Sequence, residues 1–273
     1  MVRPTPHPLA VFSLIPLNPR AEAVVNHPEN QHLVSLVPDT RARIYEGGVL
    51  HGLNIGFHIG SRSRYTLATL GRNGDIVVEG SNIARVQCSF EIHEDTEEIL
   101  LYDRSTSRST QTIGENAMPF DEGRLERYVV VAKMENGINN EFGFGGTRCD
   151  LIRFKIHWHD RKFNYKEEIG FREDHPRYTR TVEDETPTAL PSQRATRIHT
   201  PIVQSLGVQG RVKKIRYYKK EKLGQGSFGE VHKAVDVDSG ELFALKLVNW
   251  PDLQSRQYTA IKREVEYSLV CLM

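Results

Sequence analysis

The chain has 273 residues, 38% hydrophobic and 26% charged, with 36 Lys and Arg against 35 Asp and Glu. That composition suits a soluble globular protein of one large domain or two ordinary ones, and the near-balance of charge gives no global pull towards nucleic acid or an anionic membrane surface. Three widely spaced cysteines, Cys88, Cys149 and Cys271, have no metal-ligand spacing and read as free thiols of a reducing, intracellular compartment, nucleus or cytoplasm.

In chain order, residues 1–40 are Pro-rich and predict an irregular N-terminal extension with one weak helix at Arg20–Asn26. The apolar stretch "LAVFSLIPL" (9–17) has no basic flank or clear cleavage site, so it is not read as a signal peptide. No apolar run approaches membrane-spanning length. Over 41–160, short β-rich runs such as "YTLATLG", "CSFEIHE" and "LIRFKIHW" alternate with Gly, Asn, Asp and Ser clusters. Their length and spacing predict an all-β sandwich or barrel. Residues 161–216 are charged, rich in Thr and Pro and poor in large apolar side chains. Such a segment cannot bury enough surface to offset its ordering entropy, and a disordered linker is expected. Residues 217–273 predict strand, Gly turn, strand, "DSG" turn and strand, then a closing helical segment. The expected fold class is therefore mainly β, in two parts.

Chemistry concentrates first in "LGQGSFGEV", Leu223, Gly224, Gln225, Gly226, Ser227, Phe228, Gly229 and on to Val231. A lone GxGxxG is weak, because dinucleotide-binding folds share it. Here β-rich residues follow Gly229, so the glycines cap a strand-to-strand turn rather than opening a helix. Glycine lets a backbone approach phosphate oxygens closely. Val231 stands where an apolar side chain would cover an adenine ring. Lys246 follows the small Ala244 inside a strand, and contact with phosphates would explain a lysine there. Glu264, on the predicted helix, could hold that lysine in place.

Taken together, these motifs resemble the opening of a eukaryotic protein kinase domain, G-x-G-x-x-G-x-V followed by V-A-I-K, over about 217–270. The resemblance implies that Leu223 to Gly229, Val231 and Ala244 line ATP, that Lys246 pairs with its phosphates, and that Glu264 pairs with Lys246. No H-R-D, D-F-G or A-P-E motif follows within the 273 residues. The catalytic base and the magnesium-binding residues are thus expected beyond Met273, leaving no catalytic or metal-binding residue in this stretch, which is expected to be inactive alone.

The first domain is similar to forkhead-associated (FHA) domains, β-sandwich readers of phosphothreonine, over about 53–158. "LGRNGDIVV", "IARVQCSFEI" and "LLYDRSTSRSTQTIG" fall in that family's order. The resemblance implies phosphopeptide binding through Arg72, beside Gly71, and through Arg85, Ser105 and Ser107, with Ser105 in the third motif beside Asp103. A guanidinium suits phosphate through bidentate, charge-assisted bonds. Departures are plain. Ala84 replaces the phosphate-binding Ser, Gln87 the loop-bracing His, and Ser107, Arg108 and Ser109 replace Asn-Gly-Thr. Arg85 and Arg108 are candidate sources of replacement positive charge.

FHA-like domain, linker and kinase opening together resemble the fungal checkpoint-type Ser/Thr kinases. The expected function is an ATP-dependent protein Ser/Thr kinase with a phosphothreonine-protein partner and protein substrates. The alternative is a non-catalytic phosphothreonine-binding or interaction module with a vestigial kinase fragment. The basic run "RVKKIRYYKKEK" (211–222) reads as a solvated lead into the first kinase strand. His157 and His159 share one strand face but lack further ligands, so no metal site is expected.

Overall fold

The computed structural model describes residues 3–38, 49–133, 137–146, 150–174, 215–226 and 229–248. It is mainly β and divides into two compact units, Met1–Arg177 with Asp236–Glu241, and Tyr178–Val235 with Leu242–Met273.

The first unit is built from β1 (Ala10–Pro16), α1 (Pro19–Val25), a 3-10 turn (Pro28–Leu33), β2 (Val34–Pro38), β3 (Val49–Gly56), β4 (Thr66–Gly71), β5 (Ile76–Val77), β6 (Cys88–Ile92), β7 (Ile99–Asp103), β8 (Gln111–Ile113), β9 (Arg127–Val131), β10 (Glu141–Phe144), β11 (Ile152–Trp158) and α2 (Tyr165–Gly170). One sheet runs β2-β3-β1-β11-β10-β8 and the other β5-β4-β6-β7-β9. The pairings between these strands are antiparallel except β4 with β5. Rings from both sheets meet between them. Phe12 of β1 meets Phe90 of β6 edge-on at 5.0 Å, and Phe90 meets Phe142 of β10 at 5.4 Å. Phe142, Phe144 and Phe154 stack beyond. These geometries suit the ring quadrupole and add to the area buried.

Residues 10–38, expected as an irregular extension, instead supply strands β1 and β2 of the six-stranded sheet. β1 lies between β3 and β11, and all seven of its residues are buried. A strand buried on both faces shows no alternation, so its apolar run carried no strand period. Asn18 then stops the strand and caps α1. Its Oδ1 accepts from Ala21 N–H at 3.0 Å and its Nδ2 donates to Leu151 O at 2.6 Å, with Pro19 in the first turn.

Residues 161–174, expected within the linker, also belong to the first unit. Arg172 donates to the carbonyls of Arg64, Ile59 and Thr66, and Phe163 and Tyr165 pack on Phe57. One arginine satisfying three carbonyls outweighs the polar composition around it. The rest of the expected linker, up to residue 214, lies outside the described residues.

The second unit contains β12 (Tyr217–Gly226), β13 (Gly229–Asp236) and β14 (Leu242–Val248), in that order in one sheet. β13 and β14 are antiparallel. Between them Asp236 Oδ1 accepts from Asp238 N–H at 2.8 Å, and Gly240 takes the left-handed φ of +77° that the turn needs. The helical segment predicted at the C-terminal end lies outside the described residues.

Candidate functional site

Two places gather the residues singled out by the sequence. In the hairpin β13–β14, Val231 lies directly opposite Lys246, and Lys233 opposite Ala244. Directly paired residues of antiparallel strands share a face, and side chains two apart on one strand do too. Val231, Ala244 and Lys246 therefore stand on one face, with Ala244 and Lys246 exposed. Leu223, Gly224 and Gln225 are exposed at the end of β12. A Cβ at Gly224 would enter open space, whereas one at Gly229 would lie 1.9 Å from Leu247 O. Gly229 thus serves the close approach of β13 to β14, a demand made by the sheet itself. Ion pairs of Lys222 with Glu230 (2.7 Å) and Lys233 with Glu221 (3.4 Å) join β12 to β13. Such exposed pairs contribute little to stability. Ser227, Phe228 and Glu264 lie outside the described residues.

At one end of the sandwich, three loops converge: 71–75, 79–87 and 104–110. Arg72 N–H donates to Ala84 O at 3.1 Å and Asn73 N–H to Arg85 O at 2.9 Å. A Cβ at Gly71 would fall 2.4 Å from Arg85 O, so glycine is what lets these two loops touch. Arg72 Nε donates to Ile83 O at 2.8 Å, which fixes its side chain across the neighbouring loop. Arg72, Arg85, Ser107 and Arg108 are all exposed.

Beneath them, Gln87 is fully buried. Its Oε1 accepts from Ala84 N–H at 3.1 Å, and its Nε2 donates to Ser109 Oγ at 2.9 Å and Thr110 Oγ1 at 3.3 Å. One amide therefore braces two loops. Asp103, whose side chain has no exposed surface, anchors the third motif. It accepts from Ser105 N–H and Oγ–H (3.1 and 2.7 Å), from Thr110 Oγ1–H (2.9 Å) and from Arg127 Nη1 (2.5 Å). Ser105 is itself buried, and its hydroxyl is engaged by Asp103 and by Ser109 N–H. The structure thus places Ser105 inside the loop and Ser107 on its surface. Arg108 adopts φ +51°, an uncommon conformation for a non-glycine residue, and donates to Glu122 O.

Gln87, Ser109, Thr110 and Arg127 complete this cluster, and the sequence reading assigned no supporting role to any of them. The available signals were the place of Gln87, where the resemblance has a loop-bracing His, and the run of hydroxyl and arginine residues following an apolar strand that ends in Asp103. Cys88 is free and buried, and burial pushes its thiol well above the ordinary range. His157 and His159 are 5.6 Å apart, and no group of three His, Cys, Asp or Glu side chains that could hold a metal occurs among the described residues. No helix among the described residues is long and apolar enough to cross a membrane.

No family model matches the chain. Over 53 residues it is 42% identical to the MAP kinase kinase kinase SSK2 of Saccharomyces cerevisiae. The alignment covers 19% of this chain and only 3% of SSK2. Among solved structures, Rad53 1–466 in complex with AMP-PNP aligns over 86% of this chain and 47% of that one. The identity there is 18% and the TM-score 0.35, too low to establish a shared overall arrangement.

Proposed function

We propose that these residues belong to an ATP-dependent protein Ser/Thr kinase coupled to an FHA-type phosphothreonine reader. The observation that carries the kinase part is the β13–β14 register. It brings Val231, Ala244 and Lys246 to one face of the hairpin that begins at Gly229, in a chain that shares a stretch with a kinase. An apolar valine and a small alanine suit the flat base of a nucleotide, and the lysine suits its phosphates. ATP is the proposed cofactor, with magnesium held by the complete kinase. In this reading the glycine-rich loop and the β13–β14 hairpin contribute binding and charge to phosphoryl transfer.

The reader part rests on the loop cluster that Gln87 and Asp103 hold together, with exposed arginines at its surface. The same cluster favours the second reading, a phosphothreonine-binding module that works without catalysis. Its proposed partner is a phosphothreonine-containing protein.

Titration of the 273-residue chain with a fluorescent ATP analogue tests the kinase part. Binding is expected, weakened about tenfold or more in Lys246→Ala. An unchanged affinity in that variant would remove the lysine from the nucleotide site. In parallel, Arg72→Ala is expected to abolish capture by immobilised phosphothreonine peptides.

A further inference from the structure

The two ends of the glycine-rich loop are held differently. At Gly229 the chain is pinned, because a Cβ there would lie 1.9 Å from Leu247 O. At Gly224 the space where a Cβ would stand is open, and Leu223, Gly224 and Gln225 are all exposed. Side chains tie the open end to the pinned one. Lys222, at the foot of the loop, carries three ammonium hydrogens. One goes to Gln225 Oε1 at 3.0 Å and another to Glu230 Oε1 at 2.7 Å. Glu230 follows Gly229 on β13, so a single lysine spans both halves of the loop. The carboxylate is anchored in turn. Lys222 first and then His232 hold the pKa of Glu230 below the ordinary carboxylate range. It is therefore ionised near neutral pH and can only accept. His232 Nε2, 3.1 Å from Glu230 Oε2, must then be the donor. His232 is 7% exposed, which gives the chain of bonds a buried base. An exposed pair of long side chains contributes little to stability, because both give up rotamer freedom to keep one geometry. What it can set here is position. Gln225 stands between Gly224 and Gly226, residues whose backbone is the freest to move.

We infer that Lys222 and Glu230 are positioning residues that latch the open half of the loop through Gln225 and so preset the approach of its backbone to a nucleotide. This rests on the nucleotide-binding reading above. It gives a role to three polar residues, Lys222, Glu230 and His232, that line neither the base nor the phosphates in that reading.

The test titrates the whole chain with the fluorescent ATP analogue. Lys222→Met, which keeps a long side chain without the charge, is expected to weaken binding about threefold, the scale of an exposed ion pair. Gln225→Ala should do the same. The double variant should be no weaker than either single one, because both break one tie. Lys222→Glu combined with Glu230→Lys should bind better than either reversal alone. The urea midpoint should stay at the parent value throughout. Parent-like binding by Lys222→Met, additive losses in the double variant, or a midpoint that falls along with the affinity overturns the latch. If Lys246→Ala weakens binding while Lys222→Met does not, the inference fails and the nucleotide site stands. If the parent does not bind the analogue, both fall.

Discussion

Asp103 shows how much one side chain can organise. Its carboxylate has no exposed surface and accepts from two loop residues and from Arg127, whose side chain is 10% exposed. Replacing a well-packed buried pair by apolar groups can cost little. Removing one partner strands the other charge without compensation. Asp103→Ala is therefore expected to destabilise the first unit by roughly 3–5 kcal/mol, read from the urea midpoint. Arg127 would be left buried, and Ser105 and Thr110 would each lose an acceptor. A loss below about 1 kcal/mol would mean that water replaces the carboxylate.

At the scale of elements, the N-terminal residues are part of the sandwich rather than a tail to it. β1 is hydrogen-bonded to strands on both sides, and Asn18 joins its end to α1 and to Leu151 before β11. Asn18→Ala removes a helix cap and leaves Leu151 O without that donor, so a loss of roughly 1–2 kcal/mol is expected. Thermal denaturation of the parent and variant chains measures it. A neutral result would place the cap on a helix that contributes nothing to the sheet beneath. The continuous apolar run of β1 was visible in the sequence but not its strand identity. Period-2 alternation arises only when one face meets water, and both faces of β1 are covered. Strands such as β6 and β11 keep polar residues at intervals, in Glu91, Arg153 and Lys155, and their period was legible.

For the first unit as a whole, acid is the sensitive variable. His58 stacks on His7 at 4.1 Å, and its ring nitrogens are buried. Burial first, then the neighbouring His7, Arg3 and His32, lower its pKa from an ordinary 6.5 to about 3. His159 is lowered to about 4, again chiefly by burial. Between pH 6.5 and these values the unfolded chain binds protons that the folded chain excludes. Stability is therefore full above pH 6.5 and falls as pH drops. For His58 alone the loss at pH 5 is roughly 2 kcal/mol. Urea midpoints should drop between pH 7.5 and 5, and His58→Phe should flatten that drop. An equal drop in both chains would assign the acid sensitivity to other groups.

By itself the sequence determined the hairpin motif and the order of the three loop motifs. Glycine, valine, alanine and lysine at those spacings carry their chemistry wherever the strands lie, and local turn residues set the hairpin register that unites them. The mainly β class was legible for the same reason, since period-2 patterning is a local property. Only the tertiary structure decided that Gly229 serves a neighbouring strand, that Ser105 lies inside its loop, and that Gln87 joins Ala84 to Ser109. Each of these depends on which atoms the folded backbone brings together, Gly229 against Leu247 and Gln87 against Ser109 among them. Buried polar groups must find partners wherever the fold brings them, and no local pattern of residues specifies that meeting.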